Sequence, residues 1–445
     1  MSDRGQPRLA LRSQWDREIA RLAVPAFGAL IAEPVYVLTD TAIVGHLGTP
    51  QLAGLAVAAA ILVTGYSVFI FLAYGTTAAV ARLIGAGEPR EATHQAVQGA
   101  WLAVAVSAVV TPVGLVTAGS LVRGFGAQGD AAGYAETYLR ISMLGVPAVL
   151  LTYAAVGWLR GRQDTRTPLL VAVLSAAANL VLEVVLILGL GYGVGASAAS
   201  TVLVQWAAVA VYLGGMGRQA RALRVGLRPV VRTIGRLARV GLDLLVRTVA
   251  LRLALASATA VAARLGAAQV GAHQIAFELW NTLALALDAI AIAAQALVGR
   301  LLGAGDLVAA RAATRRMVEL GLAFGVLIGV LLMAVRGVLP QAFTDDPLVV
   351  QLASFLLLFV AVLQPVNAVV FVLDGVLVGA GDTRYLAVSM VVAAALFLLA
   401  AAVLVATGAG LGWLWTAISG LMLVRLAAVG TRTRGDRWLI PGAVR

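Results

Sequence analysis

Apolar runs long enough to cross a bilayer recur from one end of this 445-residue chain to the other, and no other feature constrains its fold as tightly. A run of about eighteen or more apolar residues is a candidate transmembrane helix. The reading predicts twelve, at about 17–43, 52–81, 92–121, 131–158, 167–190, 194–216, 237–264, 267–299, 309–337, 348–378, 384–407 and 409–430. Several exceed twenty residues, so tilted helices are expected. The chain is 61% apolar and 12% charged, whereas soluble domains run at about 45–50% and 25%. The excess apolar surface requires lipid as its solvent.

Several function classes drop out. Without Cys there is no disulfide, thiol nucleophile or thiolate metal site. His46, His94 and His273 lie far apart with no ligand spacing, so no metal is expected. No phosphate-binding GxxxxGK[ST] segment is present, so uphill transport would draw on an ion gradient. No nucleophile–base constellation suggests an enzyme. The net charge of +12 comes from Arg alone, and it falls in tails and short loops, which indicates membrane topology and no nucleic acid. Five Arg are assigned to the N-terminal segment, seven to the connector Arg218–Arg239 and five to the C-terminal segment, with Arg140, Arg247 and Arg252 assigned to the spans themselves. This predicts an inner-membrane protein with both termini cytoplasmic and an even number of spans. The basic N-terminus lacks a cleavage-site pattern, so the first helix is expected to stay.

An internal repeat organises the chain. At a fixed offset of 218 residues, Leu47-Gly48 meets Leu265-Gly266, Arg82 meets Arg300, Pro147 meets Pro365, and Asp164-Thr165-Arg166 meets Asp382-Thr383-Arg384. Six spans per repeat leave both halves crossing in the same sense, which predicts a parallel pseudo-two-fold with a path between lobes. The expected divisions are a tail at 1–16, a first lobe at 17–216, an Arg-rich linker at 217–236, a second lobe at 237–430 and a tail at 431–445.

Ionisable groups within spans are costly, about 2.5–3.5 kcal/mol each, and they face cavities or partners. Asp40 shares a helix face with Glu33 and Tyr36, on a helix that carries Pro25 and Pro34. Proline permits a bend, and an acid on a bendable helix suits a protonation-driven switch. Asn179 and Glu183 stack at i, i+4. Asp243 and Arg247 have the same spacing and read as an intrahelical ion pair. Asp288, Asp374 and, more weakly, Glu278 are candidate cavity acids. The repeated Asp-Thr-Arg loops read as cytoplasmic turns with internal salt bridges. Asp40 falls on Ala258 in the repeat and Glu183 on Ala401, so the candidate coupling site belongs to one lobe.

Residues 38–48 (LTDTAIVGHLG), 82–88 (RLIGAGE), 161–166 (GRQDTR), 243–248 (DLLVRT), 287–299 (LDAIAIAAQALVG) and 378–384 (VGAGDTR), taken in order, resemble the multidrug and toxic compound extrusion (MATE) family, DinF-type branch. The resemblance covers about 17–430. It implies twelve helices in two six-helix bundles around a V-shaped cleft, and cation-coupled antiport of amphipathic, often cationic, compounds. It assigns coupling to Asp40, with Asn179, Glu183, Tyr36 and Thr201 around it, and bending to Pro25. The coupling ion is expected to be H⁺, with Na⁺ as the alternative and no cofactor. The partners are small organic molecules and the lipid bilayer, and a monomer is expected. Glu183 stands where relatives carry Asp. Gln295 replaces a frequent Glu, and Asn367 occupies the position of a second-lobe acid in the NorM-like branch.

Overall fold

The computed structural model describes residues 6–443, and among them secondary structure is entirely helical. In hydrocarbon every backbone N–H and C=O must be satisfied within the chain, and a helix does so segment by segment. The helices are α1 (Gln6–Gly45), α2 (Thr49–Phe69), α3 (Phe71–Gly85), α4 (Pro89–Gly124), α5 (Gly129–Met143), α6 (Val146–Gly161), α7 (Arg166–Glu183), α8 (Val194–Ala222), α9 (Val231–Leu265), α10 (Ala267–Gly303), α11 (Leu307–Val335), α12 (Pro347–Gly379), α13 (Thr383–Thr407) and α14 (Leu411–Arg434). α2 and α3 together make one span. Among the described residues eleven spans are long and apolar enough to cross a bilayer, and α5 with α6, bent by 50° at their junction, makes a twelfth if counted as one.

The chain divides into two compact units, one holding Pro25–Gly241 and the other holding Leu242–Ala443 together with the start of α1 as far as Val24. α1 runs as one helix through Pro25 and Pro34, and its assignment changes at the first of them. Its leading part is anchored within the second unit. Leu22 and Ile19 are buried, Arg316 grips Asp16 with two hydrogen bonds of 2.6 and 2.9 Å, and Arg300 pairs with Glu18. A bidentate guanidinium–carboxylate contact fixes orientation as well as charge.

Inside each unit the repeat reproduces local geometry. Gly48 and Gly266 both precede a helix with strongly positive φ (134° and 129°), a conformation only glycine adopts without strain. In the first unit Gly157 and Gly161 of α6 press against the carbonyls of Ala73 and Thr77 on α3. In the second, Gly375 and Gly379 of α12 press against those of Ala291 and Gln295 on α10. All four pairs keep the 218-residue offset. Close backbone approach through small residues is how helices gain contact in lipid, where apolar burial gives no preference for protein over tail.

There is no room for a Cβ at Gly375. Gly375→Val is expected to destabilise the second unit by about 1–3 kcal/mol or prevent its assembly. Thermal unfolding of the purified protein would show it, and an unchanged melting temperature would contradict the packing described.

Candidate functional site

In the first unit α1, α5, α7 and α8 bring a group of polar side chains together. Asp40 comes from α1, Tyr138 from α5, Asn179 and Glu183 from α7, and Ser197 and Thr201 from α8. Asp40, Asn179, Glu183 and Ser197 are at most 5% exposed. The Ser197 hydroxyl lies between the two acids, 2.6 Å from Asp40 Oδ1 and 3.3 Å from Glu183 Oε1. The two carboxyl groups thus have one hydroxyl as a common neighbour. Tyr138 donates to Asp40 Oδ2 at 3.3 Å, and Asn179 Nδ2 donates to Glu183 Oε1 at 2.8 Å. The Tyr36 and Thr201 hydroxyls bond each other one helical turn before Asp40. A π-helical segment, Val184–Gly189, begins directly after Glu183. Such widened turns interrupt the regular helix and are frequent at functional sites.

The charge balance defines what this arrangement can do. Every donor to Asp40 and Glu183 is neutral, and among the described residues no guanidinium or imidazole bonds either carboxylate. Two buried carboxylates this close carry both charges only at heavy cost unless a proton or a cation lies between them. One hydroxyl hydrogen on Ser197 serves only one of the two acids at a time. The Asn179 side-chain oxygen is buried without a protein partner, so an acceptor is left over beside the acids.

The structure therefore brings together Asp40, Asn179, Glu183, Tyr36 and Thr201. Ser197 and Tyr138 were not singled out from sequence. Ser197 carries a weak signal, since it precedes Thr201 by four residues on α8; Tyr138 carries none. Glu33 and Pro34 lie on exposed surface of α1, and Glu278 is exposed on α10.

The second unit handles buried charge differently. Asp374 is 6% exposed on α12, and its Oδ2 accepts from Arg247 of α9 at 2.5 Å and from Arg425 of α14 at 2.6 Å. Asp288 is close enough to act electrostatically on Arg425. Three expectations change. Asp374 is held in an ion triad and is no open cavity acid. Arg247 finds a carboxylate across the helices on Asp374, and Asp243 accepts a hydrogen bond from Thr383, so both members of the expected intrahelical pair have tertiary partners. Arg425, assigned from sequence to the C-terminal segment, is a buried member of α14. The Asp-Thr-Arg loops differ too: Asp164 accepts from the backbone N–H groups of Arg166 and Thr167, and Asp382 pairs with the distant Arg432. Gln295 and Asn367 are buried in this unit, and both amide atoms of Asn367 lack a protein partner.

At the 218-residue offset Asp40, Asn179, Glu183 and Ser197 fall on Ala258, Phe397, Ala401 and Trp415, all part of the second unit's hydrophobic core. Conversely Arg247, Asp374 and Arg425 fall on Ala29, Val156 and Ala207. Each unit is apolar where the other is charged.

A multi-pass helical membrane protein with one buried acid pair per repeated chain is the class these features define. The chain matches the MatE family over residues 25–185 and again over 248–404, one match in each half of the repeat. It belongs to that family, the multidrug and toxic compound extrusion transporters. It is 34% identical to Protein DETOXIFICATION 44, chloroplastic, of Arabidopsis thaliana, over 94% of this chain and 82% of that protein. It is 30% identical to DNA damage-inducible protein F of Escherichia coli (strain K12), over 97% and 95%, which makes the DinF-type branch the plausible one. The fold is shared with the Vibrio cholerae MATE transporter VcmN in its bent form (TM-score 0.87, 18% identity, 97% and 99% covered). It is also shared with a MOP superfamily transporter from Pyrococcus furiosus (TM-score 0.84, 21% identity, 95% and 97% covered).

Breaking a buried ion pair from one side leaves the partner's charge uncompensated, at about 3–5 kcal/mol. Asp374→Asn is expected to lower the melting temperature sharply. Adding Arg425→Met to it should recover part of the loss, because a buried charge is then removed. A double variant less stable than Asp374→Asn would contradict the triad.

Proposed function

We propose that the protein exports small amphipathic or cationic organic compounds in exchange for H⁺ by alternating access, with Asp40 and Glu183 as the proton-carrying pair. The observation that carries the reading is the Asp40–Ser197–Glu183 bridge, two buried acids joined through a hydroxyl with no basic partner among the described residues. Asp40 takes up the proton on the side of higher H⁺ activity. Neutralising it removes the repulsion between the acids and lets the bond from Ser197 transfer wholly to Glu183. That rearrangement reaches α1 at Asp40 and Tyr36, and α1 carries the bendable prolines Pro25 and Pro34. Bending of α1 then reshapes the substrate site and releases the compound. The proton leaves on the other side. For a neutral compound a membrane potential supplies about 2.3 kcal/mol per 100 mV for each proton exchanged, whereas one-for-one exchange with a monocation is electroneutral and draws on the pH difference.

Na⁺ coupling at the same site is the second reading. It is favoured by the unpartnered Asn179 oxygen, which with the two carboxylates offers a cation an all-oxygen environment.

Purified protein in proteoliposomes, given a pH gradient without Na⁺ and then a Na⁺ gradient at fixed pH, separates the two. Proton coupling predicts drug movement in the first arm only. Asp40→Asn should abolish it while folding is retained. Ser197→Ala, which removes a charge-assisted hydrogen bond of about 1.5–3 kcal/mol, should slow it about tenfold or more. Wild-type efflux by Asp40→Asn would sink the mechanism.

A further inference from the structure

The stretch from Val184 to Leu242 contains no Asp or Glu, yet it holds seven arginines: Arg218, Arg221, Arg224, Arg228, Arg232, Arg236 and Arg239. All seven are exposed, and none has a carboxylate partner among the described residues. Elsewhere exposed arginines do find acids: Arg311 pairs with Asp436 and Arg315 with Glu319. A local excess of unbalanced positive charge on one ordered segment repels itself and attracts counter-charge from outside the chain.

The segment is built rather than left to drape. Side chains of α4 hold its backbone. The fully buried Gln98 donates to the Arg228 carbonyl at 3.0 Å and accepts from the Val230 N–H at 2.7 Å. Trp101 donates to the Leu227 carbonyl at 2.8 Å, and Arg90 donates to that of Arg224. With the backbone fixed this way, Arg232, Arg236 and Arg239 project from one face of the first turns of α9. Together with Val231 and Gly235 they line a groove of about 360 Å³. Beside them Leu227, Val230 and Val231 are 53%, 40% and 83% exposed. Exposed aliphatic side chains next to unpaired arginines, between the end of one span and the start of the next, are what an interfacial segment presents to a lipid surface.

We propose that this connector and the start of α9 form a site for the phosphate headgroup of an anionic phospholipid in the leaflet they face. Arg232, Arg236 and Arg239 hold the phosphate, and Leu227, Val230 and Val231 rest against the acyl-chain boundary. The inference depends on the membrane fold and is independent of the coupling reading. Arginines that act only to orient the chain during insertion need no particular lipid, and that distinction sets the test.

Full-length protein is placed in nanodiscs containing equal amounts of phosphatidylglycerol and phosphatidylcholine, and the lipids retained after detergent washing are identified by mass spectrometry. Wild type and the control Arg311→Gln/Arg315→Gln should retain phosphatidylglycerol preferentially. Arg232→Gln/Arg236→Gln/Arg239→Gln should lose that preference, by about fivefold for each arginine removed. If the triple variant misfolds, Arg236→Gln alone should show the single fivefold step. Equal retention by wild type and the folded variants overturns the proposal, as does equal retention of the two lipids by wild type. Displacement of the bound lipid by millimolar glycerol phosphate would assign the site to a free phosphate compound and overturn it as well.

Discussion

A charge placed in hydrocarbon must be neutralised by something within reach, and most of what is particular to this chain follows from how it meets that requirement. The backbone meets the neutral version of it by forming helices throughout the described residues. Asp374 meets the charged version with two guanidinium groups on one oxygen. Among the described residues Asp40 and Glu183 are left with hydroxyl and amide donors only. The same rule that makes the first arrangement a structural clamp leaves the second without a counter-charge among the described residues. Ser197 lies between the two acids, within hydrogen-bond distance of both.

The glycine contacts show a second use of the same economy of space. α6 and α12 approach α3 and α10 closely enough that a carbonyl replaces a side chain as the neighbour. Rigid pairs of this kind give each unit a fixed frame, against which α1, α7 and α8 can hold the acids at hydrogen-bond distance. The anchoring of the start of α1 to Arg300 and Arg316 extends the frame of the second unit into a helix whose later part carries Asp40.

Much of this was legible in the sequence, and the misses share one cause. Span positions follow from apolar run length, and the repeat follows from matching residues at one offset, so both are one-dimensional signals. The pairing of Asn179 with Glu183 is also local, four residues along one helix, and it is present as read. Asp243 and Arg247 offered the same spacing, yet their partners come from α13 and α12. Spacing states what is able to meet on one helix; it carries no information on a better partner two hundred residues away. Arg425 was misassigned because it lies near the end of a span, where a run of arginines reads as tail. Ser197 and Tyr138 are common residues on apolar helices, and only the fold distinguishes them from the many hydroxyls that bond their own backbone.

The reciprocal placement of charge has a consequence for the two halves as parts. Their backbones repeat down to the positive φ before α2 and α10, but neither half is able to stand in for the other. A tandem of two first halves would bury two Asp40–Glu183 pairs and no counterpart of the Asp374 triad. A tandem of two second halves would hold two such triads and no Asp40–Glu183 pair. The two copies share a backbone plan and differ in which of them carries the acid pair and which the ion triad.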